Sequence, residues 1–143
     1  MYIDFTKCFD MIPRDLLISK IVRLHKIRGK LLRVIYELLR YNAIRVFDGV
    51  SHSEDVLQTR GVQQGDSLSP LLFLLFVSDL PRILKDVGWD LQVCCFADDV
   101  IFYSVHAHDI QYALDQLSWY CGLNKLEVSH IWATPWTINC KKP

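Results

Sequence analysis

The sequence predicts an α+β domain in which helices pack on one face of an antiparallel sheet. Three observations support this prediction. Strand-like apolar runs alternate with segments of helical spacing, two pairs of runs flank turn signals, and the segment Leu71 to Val77 is apolar on every side. A helix that is apolar all round must be buried, and a sheet covered on one face by helices provides such a place.

The first half of the chain predicts one strand, two helices and a hairpin. Residues 1–10 contain a short strand-like pattern around Asp4. From residue 13 to 41, apolar residues recur at helical spacing, and Gly29 is expected to divide the segment into two helices. Strand-like runs on either side of Asp48-Gly49 predict a hairpin, because this dipeptide favours tight turns.

The second half predicts a buried helix, a second hairpin, a further helix and a strand. Ser69 is expected to cap the buried helix, with Pro70 at its first position. Two apolar runs flank Asp98-Asp99 and predict the hairpin. A helical pattern runs from Ile110 to Trp119, and a weak strand pattern begins near Lys125.

Composition places limits on the class of protein. A chain of 143 residues suits one domain, and its 51% hydrophobic content argues against disorder. Its five cysteines form no C-x-x-C pair or zinc-site spacing, so we expect reduced thiols. The sequence shows no signal peptide and no apolar stretch long enough to span a membrane. We therefore expect an intracellular protein, in the nucleus or cytoplasm, with no membrane partner.

The formal net charge is zero, but the charges are unevenly distributed. Residues 14–45 carry nine Lys and Arg against two acidic residues, whereas residues 46–143 carry six basic and twelve acidic residues. Such a basic segment is most often a solvated helix face, and on its own it does not identify a nucleic-acid partner.

Asp98 and Asp99 lie within the otherwise apolar run "VCCFADDVIFYSV". Ionised carboxylates in the middle of a buried strand would be very costly, so a turn at Ala97-Asp98 is expected to carry both at its tip. Neighbouring carboxylates repel each other unless a cation lies between them, and a hard divalent ion prefers such oxygen ligands. Asp4 is the candidate third carboxylate, with Asp10 as second choice. An ordinary surface turn is the alternative.

Three motifs in this order, "YIDFTKCFD", "RGVQQGDSLSPLLF" and "FADD", resemble the palm of reverse transcriptases. The last two look most like those of non-LTR retrotransposons of the LINE type. The resemblance implies a partial palm-like domain over residues 1–133, followed by a loose tail over 134–143. It also implies RNA-templated DNA synthesis from dNTPs at a primer 3′ end.

The resemblance further implies a catalytic metal site. Asp4 and Asp98 would be the main ligands of two Mg²⁺ ions, with Mn²⁺ as a substitute, and Asp99 would support them. The backbone carbonyl of Phe5 would also contribute to metal binding.

A nucleotide site is implied as well. Phe9 corresponds to the bulky residue that blocks a ribose 2′-OH and selects dNTPs, and Gln64 and Gly65 correspond to a turn that approaches nucleotide and template. Residues 14–45 would then contribute electrostatics for the duplex of RNA template and DNA primer. Phe9 as a core aromatic and Gly65 as a turn residue are the structural alternatives.

The sequence departs from the family pattern in two respects. Fingers segments before the first aspartate are incomplete and a thumb is absent, so those regions of the parent polymerase are expected as partners and the chain alone is expected to be weak or inactive. The family's lysine proton donor is also displaced: His130 occupies the nearest aligned position and Lys125 is an alternative. A strand residue with no chemical role is the other interpretation of His130.

Two other functions stay open at this point. A non-catalytic retroelement relic would bind nucleic acid through residues 14–45 without using the carboxylates. Another palm-type enzyme, such as a nucleotide cyclase, would share the aspartates, although the Gln-Gly phrase before the buried helix argues against it.

Overall fold

The structure is a computed structural model that describes residues 1–40, 42–85 and 90–132. It confirms the α+β class. The elements in chain order are β1 (Tyr2–Phe5), α1 (Cys8–Met11), α2 (Arg14–Arg23), α3 (Gly29–Arg40), β2 (Ala43–Ile44), β3 (Val56–Leu57), α4 (Ser69–Val77), α5 (Leu80–Lys85), β4 (Gln92–Phe96), β5 (Asp99–Tyr103), α6 (Ala107–Asn124) and β6 (Val128–Trp132). The expected tail, residues 134–143, lies outside the described residues, and the boundary at residue 133 stays a prediction.

The main sheet has four antiparallel strands in the order β4-β5-β1-β6. The first strand of the chain is therefore an inner strand, paired with two strands that come about a hundred residues later. Ile3 is opposite Val100 in β5 and Ile131 in β6. This register fixes the position of every residue of β1 relative to the rest of the sheet.

The core lies on one face of this sheet. Ile3, Phe5, Val100 and Phe102 point into it and are almost completely buried. Helices α4 and α6 supply the large side chains on the other side of the core, among them Phe73, Phe76, Leu117 and Tyr120. The alternate residues of β5, Ile101 and Tyr103, are exposed, so the opposite sheet face is open in the described structure. Helices on a single face are thus confirmed.

Two predicted features are confirmed in the first half of the chain. Gly29 separates the two helices, because α2 ends at Arg23 and α3 begins at Gly29 with a φ of +68°. Asp48-Gly49 lies between β2 and β3, and the Asp48 carboxylate accepts hydrogen bonds from the backbone N–H groups of Val50 and Ser51. The side chain of Asp48 therefore stabilises the turn of this hairpin.

Two predictions for α4 are wrong. The helix is not buried on every side, because Leu71 and Leu74 are 51% and 48% exposed, and Ser69 is not its cap. Leu68, already in a helical conformation, is the N-cap, and Pro70 lies in the first turn as expected. Ser69 is inside the helix, and its buried hydroxyl donates to the Gln63 carbonyl at 2.5 Å. Its role is therefore to hold the preceding loop against α4 rather than to cap the helix.

A polar cluster joins three helical segments beneath the sheet. Lys20 in α2 donates from Nζ to Asp79 Oδ1 at 2.8 Å, to the Phe76 carbonyl at 2.9 Å and to the Tyr120 hydroxyl at 3.0 Å. The Tyr120 hydroxyl donates to the same Asp79 oxygen at 2.7 Å. Burial lowers the pKa of Lys20 and raises that of Tyr120, and Asp79 favours the charged lysine and the neutral tyrosine.

No helix in the described ranges is long and apolar enough to cross a bilayer.

The polar cluster gives a stability prediction. Lys20→Met keeps the aliphatic stem but removes the donor shared by Asp79 and Tyr120, so we expect the free energy of unfolding to fall by about 2–3 kcal/mol. Urea denaturation measures the change. Lys30→Met, at an exposed position, is the matched control and should change stability by less than about 0.5 kcal/mol. Equal effects of the two substitutions would contradict the structural role of Lys20.

Candidate active site

Asp98 and Asp99 lie at the turn between β4 and β5, as expected. Phe96 pairs with Asp99, which leaves Ala97 and Asp98 as the two turn residues. Ala97 has a φ of +51°, a conformation that costs roughly 1–2 kcal/mol in a residue with a Cβ. The turn thus places the two carboxylates at the end of the sheet and avoids burying them within a strand.

Asp4 lies at the same end of the sheet. The pairing of Ile3 with Val100 continues towards Asp4 and Asp99, and Asp4 is opposite His130 on its other side. All three carboxylates act on the phenol of Tyr2: its pKa is raised to about 12, chiefly by its hydrogen bond to Asp99, then by burial and by the charges of Asp99, Asp4 and Asp98. The structure therefore places the three predicted carboxylates at the same end of the sheet.

Each carboxylate accepts a hydrogen bond from a side chain that the sequence did not single out. The Tyr2 hydroxyl donates to Asp99, the Ser129 hydroxyl donates to Asp4 at 2.8 Å, and the Cys8 thiol lies 3.4 Å from Asp98. Burial and the Asp98 charge raise the pKa of the Cys8 thiol to about 12, so it stays a protonated donor.

Sequence spacing could have found only one of these donors. Tyr2 is two residues from Asp4 in a strand and so shares its face. Ser129 lies at an irregularity in the β1–β6 pairing, where the partner shifts from His130 opposite Asp4 to Val128 opposite Phe5. Cys8 reaches Asp98 from α1 across a separation of 90 residues. These two contacts depend on tertiary register that no local pattern reveals.

The residue types of the site, three carboxylates, are those that bind a divalent cation, but their arrangement in the structure is not that of a metal site. The carboxylates supply the oxygen ligands that Mg²⁺ prefers, and their joint field, seen at Tyr2 and Cys8, is negative. Among residues 1–40, 42–85 and 90–132, no group of three or more His, Cys, Asp or Glu side chains is arranged to hold a metal ion. The assignment of Asp4, Phe5, Asp98 and Asp99 as metal ligands stays a prediction.

Two of the predicted nucleotide-binding residues, Phe9 and Gln64, lie where the loop at 61–65 packs on α1. The Gly61 N–H donates to the Ile12 carbonyl and the Val62 N–H to the Phe9 carbonyl, both at 2.8 Å. Gln64 donates to Asp10 Oδ2 at 3.0 Å. Asp10 thus orients Gln64.

Phe9 and Gly65 lie on either side of this contact. Phe9 is half-buried, with its ring centroid 5.2 Å from that of Phe73, so its ring is anchored on the core. Gly65 is exposed and has a φ of +86°, which glycine adopts without strain. Whether these residues bind nucleotide stays a prediction.

The two candidate proton donors have different positions. His130 is on β6 directly opposite Asp4, whereas Lys125 has a φ of +54° and forms the C-terminal cap of α6. Of the two, His130 is the one that the sheet register places beside a carboxylate.

The basic segment is used in two ways. Arg14 donates to the carbonyls of Gly61 at 2.9 Å and of Leu39 at 2.5 Å, and also to that of Gln58. Lys20 belongs to the polar cluster, and Arg45 binds Asp55 at 2.6 and 3.0 Å. These three cations are therefore engaged in contacts within the protein. Five other cations are exposed around the α2–α3 junction: Arg23, Lys26, Arg28, Lys30 and Arg33. We call these five residues the basic junction.

A carboxylate on an inner strand and a turn with two carboxylates thus lie at one end of an antiparallel sheet that helices cover on one face. Residues 1–131 match the family model for reverse transcriptase (RNA-dependent DNA polymerase). The chain therefore belongs to the reverse transcriptase family. Enzymes of this family use divalent metal ions and bind RNA and DNA.

One curated protein that the chain is similar to comes from a retrotransposable element. The chain is 37% identical over 75 residues to the Retrovirus-related Pol polyprotein from type-2 retrotransposable element R2DM of Drosophila melanogaster. The match covers 48% of this chain and 7% of the polyprotein. The chain thus spans a small part of the length of this curated relative, and the match supports the predicted resemblance to retrotransposon reverse transcriptases.

Two solved telomerase structures share the fold. The apo telomerase of Candida tropicalis, truncated from the C-terminal domain, has a TM-score of 0.70 at 17% identity, over 93% of this chain and 31% of that one. Telomerase of Candida albicans, in complex with a fragment of telomeric RNA, has a TM-score of 0.54 at 15% identity, over 93% and 27%. These likenesses confirm the reverse-transcriptase-like architecture.

The loop packing on α1 predicts that Gly61 cannot be replaced. A Cβ at Gly61, whose φ is +76°, would lie 2.6 Å from the Asp10 carbonyl oxygen and 2.7 Å from the Phe9 carbonyl oxygen. Gly61→Ala must therefore displace backbone, whereas Gly65→Ala meets no atom within 4 Å and incurs only the strain of positive φ, about 1–2 kcal/mol. We expect Gly61→Ala to lower the free energy of unfolding, measured by urea denaturation, at least twice as much as Gly65→Ala does. Equal costs would show that the loop does not pack here as described.

Proposed function

We propose that this chain is the palm segment of an RNA-directed DNA polymerase that transfers nucleotides from dNTPs to a primer 3′ end on an RNA template. Asp4, Asp98 and Asp99 are its proposed catalytic residues. The observation that supports this proposal most directly is the convergence of the three carboxylates, from β1 and from the β4–β5 turn, at one end of the sheet.

The proposed cofactor is a pair of Mg²⁺ ions, for which Mn²⁺ can substitute. Bound ions would stabilise charge on the attacking and leaving oxygens of phosphoryl transfer. Asp4 and Asp98 would be the principal ligands, Asp99 would support them, and the Phe5 carbonyl would add a backbone oxygen. Strand β1 is paired on both sides, so the sheet fixes the positions of Asp4 and Phe5.

Phe9, Gln64 and Gly65 are the proposed nucleotide contacts. Phe9 would exclude a ribose 2′-OH by bulk, and its contact with Phe73 supports this role because an anchored ring cannot easily move aside. Gln64, oriented by Asp10, and the unhindered backbone at Gly65 would face nucleotide and template. His130 is the preferred candidate proton donor to pyrophosphate, since it lies opposite Asp4; Lys125 is the alternative.

The proposed macromolecular partners are the RNA template, the DNA primer or target, and the fingers and thumb regions of a parent polymerase. The basic junction would attract the phosphate backbone. Sites of action in the nucleus or cytoplasm fit these partners and are part of the proposal.

The first test is primer extension by the 143-residue chain on an RNA template. We expect very weak or absent extension, because a palm alone lacks the surfaces that hold template and triphosphate. Any extension should require Mg²⁺ or Mn²⁺ and disappear in Asp98→Asn. The matched control is Asp115→Asn, at an exposed position of α6.

Each other outcome of this assay has a defined meaning. Robust extension that Asp98→Asn abolishes would overturn the expected inactivity while supporting the chemistry. Extension that persists in Asp98→Asn would contradict the proposed site. A cyclic nucleotide formed from ATP or GTP would favour the cyclase alternative.

The second test concerns nucleic-acid binding. Replacing all five residues of the basic junction by Gln should weaken binding to an RNA–DNA duplex and reduce the salt dependence, by about 0.9 in the log–log slope for each phosphate that the variant no longer neutralises. Arg45→Gln is the control, because this guanidinium is paired with Asp55. An unchanged slope in the five-residue variant would exclude the basic junction as the binding surface. Binding without any metal-dependent chemistry would favour the non-catalytic alternative.

A further inference from the structure

We infer that Tyr2, Cys8 and Ser129 are positioning residues that fix the three carboxylates and thereby set the affinity of the site for divalent cations. This inference rests on the proposed function, because it concerns the same carboxylates. It adds three residues to that site, none of which is a metal ligand or touches substrate in the proposal.

The three contacts have the same form. Tyr2 donates to Oδ1 of Asp99, Ser129 to Oδ2 of Asp4, and the Cys8 thiol to Oδ2 of Asp98. Each donor uses one oxygen of its carboxylate and leaves the second oxygen outside that bond. A carboxylate held in this way keeps an oxygen for a cation while losing much of its rotational freedom.

The donors come from three different elements, β1, α1 and β6. The Ser129 hydroxyl lies 3.1 Å from the main-chain oxygen of Asp4 as well as 2.8 Å from its carboxylate, so its single hydrogen is shared between two acceptors of the same residue. Cys8 is only 3% exposed, so core packing fixes its thiol. Tyr2 is on an inner strand. The carboxylates are therefore supported from three sides by parts of the fold that cannot shift independently.

Electrostatic repulsion explains why such support matters. Three like charges at one end of a sheet would turn away from each other in the absence of a cation, and binding a cation would then require them to be brought back. A hydrogen bond to each carboxylate opposes that movement before the cation arrives. For metal sites in general, removing a group that orients a ligand lowers affinity by about 10- to 100-fold.

The experiment is a titration of this chain with Mn²⁺, in which electron paramagnetic resonance reports free Mn²⁺. Tyr2→Phe, Cys8→Ala and Ser129→Ala each remove one donor with little change of shape. The matched controls make the same chemical change at exposed positions: Tyr103→Phe, Cys94→Ala and Ser118→Ala. Asp98→Asn removes a proposed ligand. Each dissociation constant is measured below the thermal midpoint of its variant, so that unfolding does not enter the result.

We expect each donor variant to bind Mn²⁺ at least about 10-fold more weakly, the controls to match the parent chain, and Asp98→Asn to lose the site. Cys8→Ser should restore the parent affinity, because a hydroxyl can donate where the thiol did. A role in stability alone would lower the thermal midpoint without changing the dissociation constant, and would not explain rescue by serine.

The inference and the proposed function fail in different ways. Parent-like Mn²⁺ affinity in the three donor variants, with loss in Asp98→Asn, would overturn the inference and leave the proposed metal site intact. Tighter binding in the donor variants would also overturn it, since the donors would then compete with the cation. Absence of Mn²⁺ binding by the parent chain would overturn the metal-dependent function and the inference with it.

Discussion

The pairing of β1 between β5 and β6 is the constraint on which the rest of the structure depends. This four-residue strand pairs with residues that lie about a hundred positions later, so its docking requires closure of nearly the whole chain, an entropic cost that burial of Ile3 and Phe5 helps to offset. The same register sets Asp4 next to the β4–β5 turn. The buried core and the position of Asp4 beside the turn therefore depend on the same strand pairing, and a change that loosens β1 would disturb both.

The carboxylate end of the sheet is formed at a cost to stability. Like charges are gathered there and Ala97 adopts a positive φ, both of which a chain selected only for stability would avoid. The cost is contained because one donor side chain binds each carboxylate and because the charges lie at a turn. Local strain and repulsion inside a well-buried framework are expected of a functional site, and here they coincide with the residues that the family resemblance selects.

The sequence is informative where a local pattern carries the physics. The division at Gly29 and the turn at Ala97-Asp98 follow from glycine conformation and the cost of burying charge, and each is predicted. The prediction that α4 is buried on every side is wrong, because Leu71 and Leu74 are about half exposed; apolar composition alone does not show which face of a helix the fold covers. The prediction for Ser69 is wrong because the preceding turn is already helical at Leu68, a feature that composition does not show. The contacts of Cys8 and Ser129 depend on tertiary register, which lies beyond any local pattern. The site can thus be predicted as three aspartates, but not the side chains that hold them.

The zero net charge reflects a separation of charges with distinct tasks. Arg14 and Lys20 are engaged inside the fold and Arg45 is paired with Asp55, which leaves the basic junction as an exposed cationic surface. The basic junction and the carboxylates lie on different elements, and charges more than about 8 Å apart across solvent are largely screened at physiological ionic strength. In the proposed function, nucleic acid is therefore attracted by protein cations, whereas repulsion between phosphate and carboxylate has to be overcome by bound metal. Affinity for the duplex and catalytic activity then depend on separate parts of the surface. A palm could therefore keep its affinity for the duplex after losing its catalytic activity.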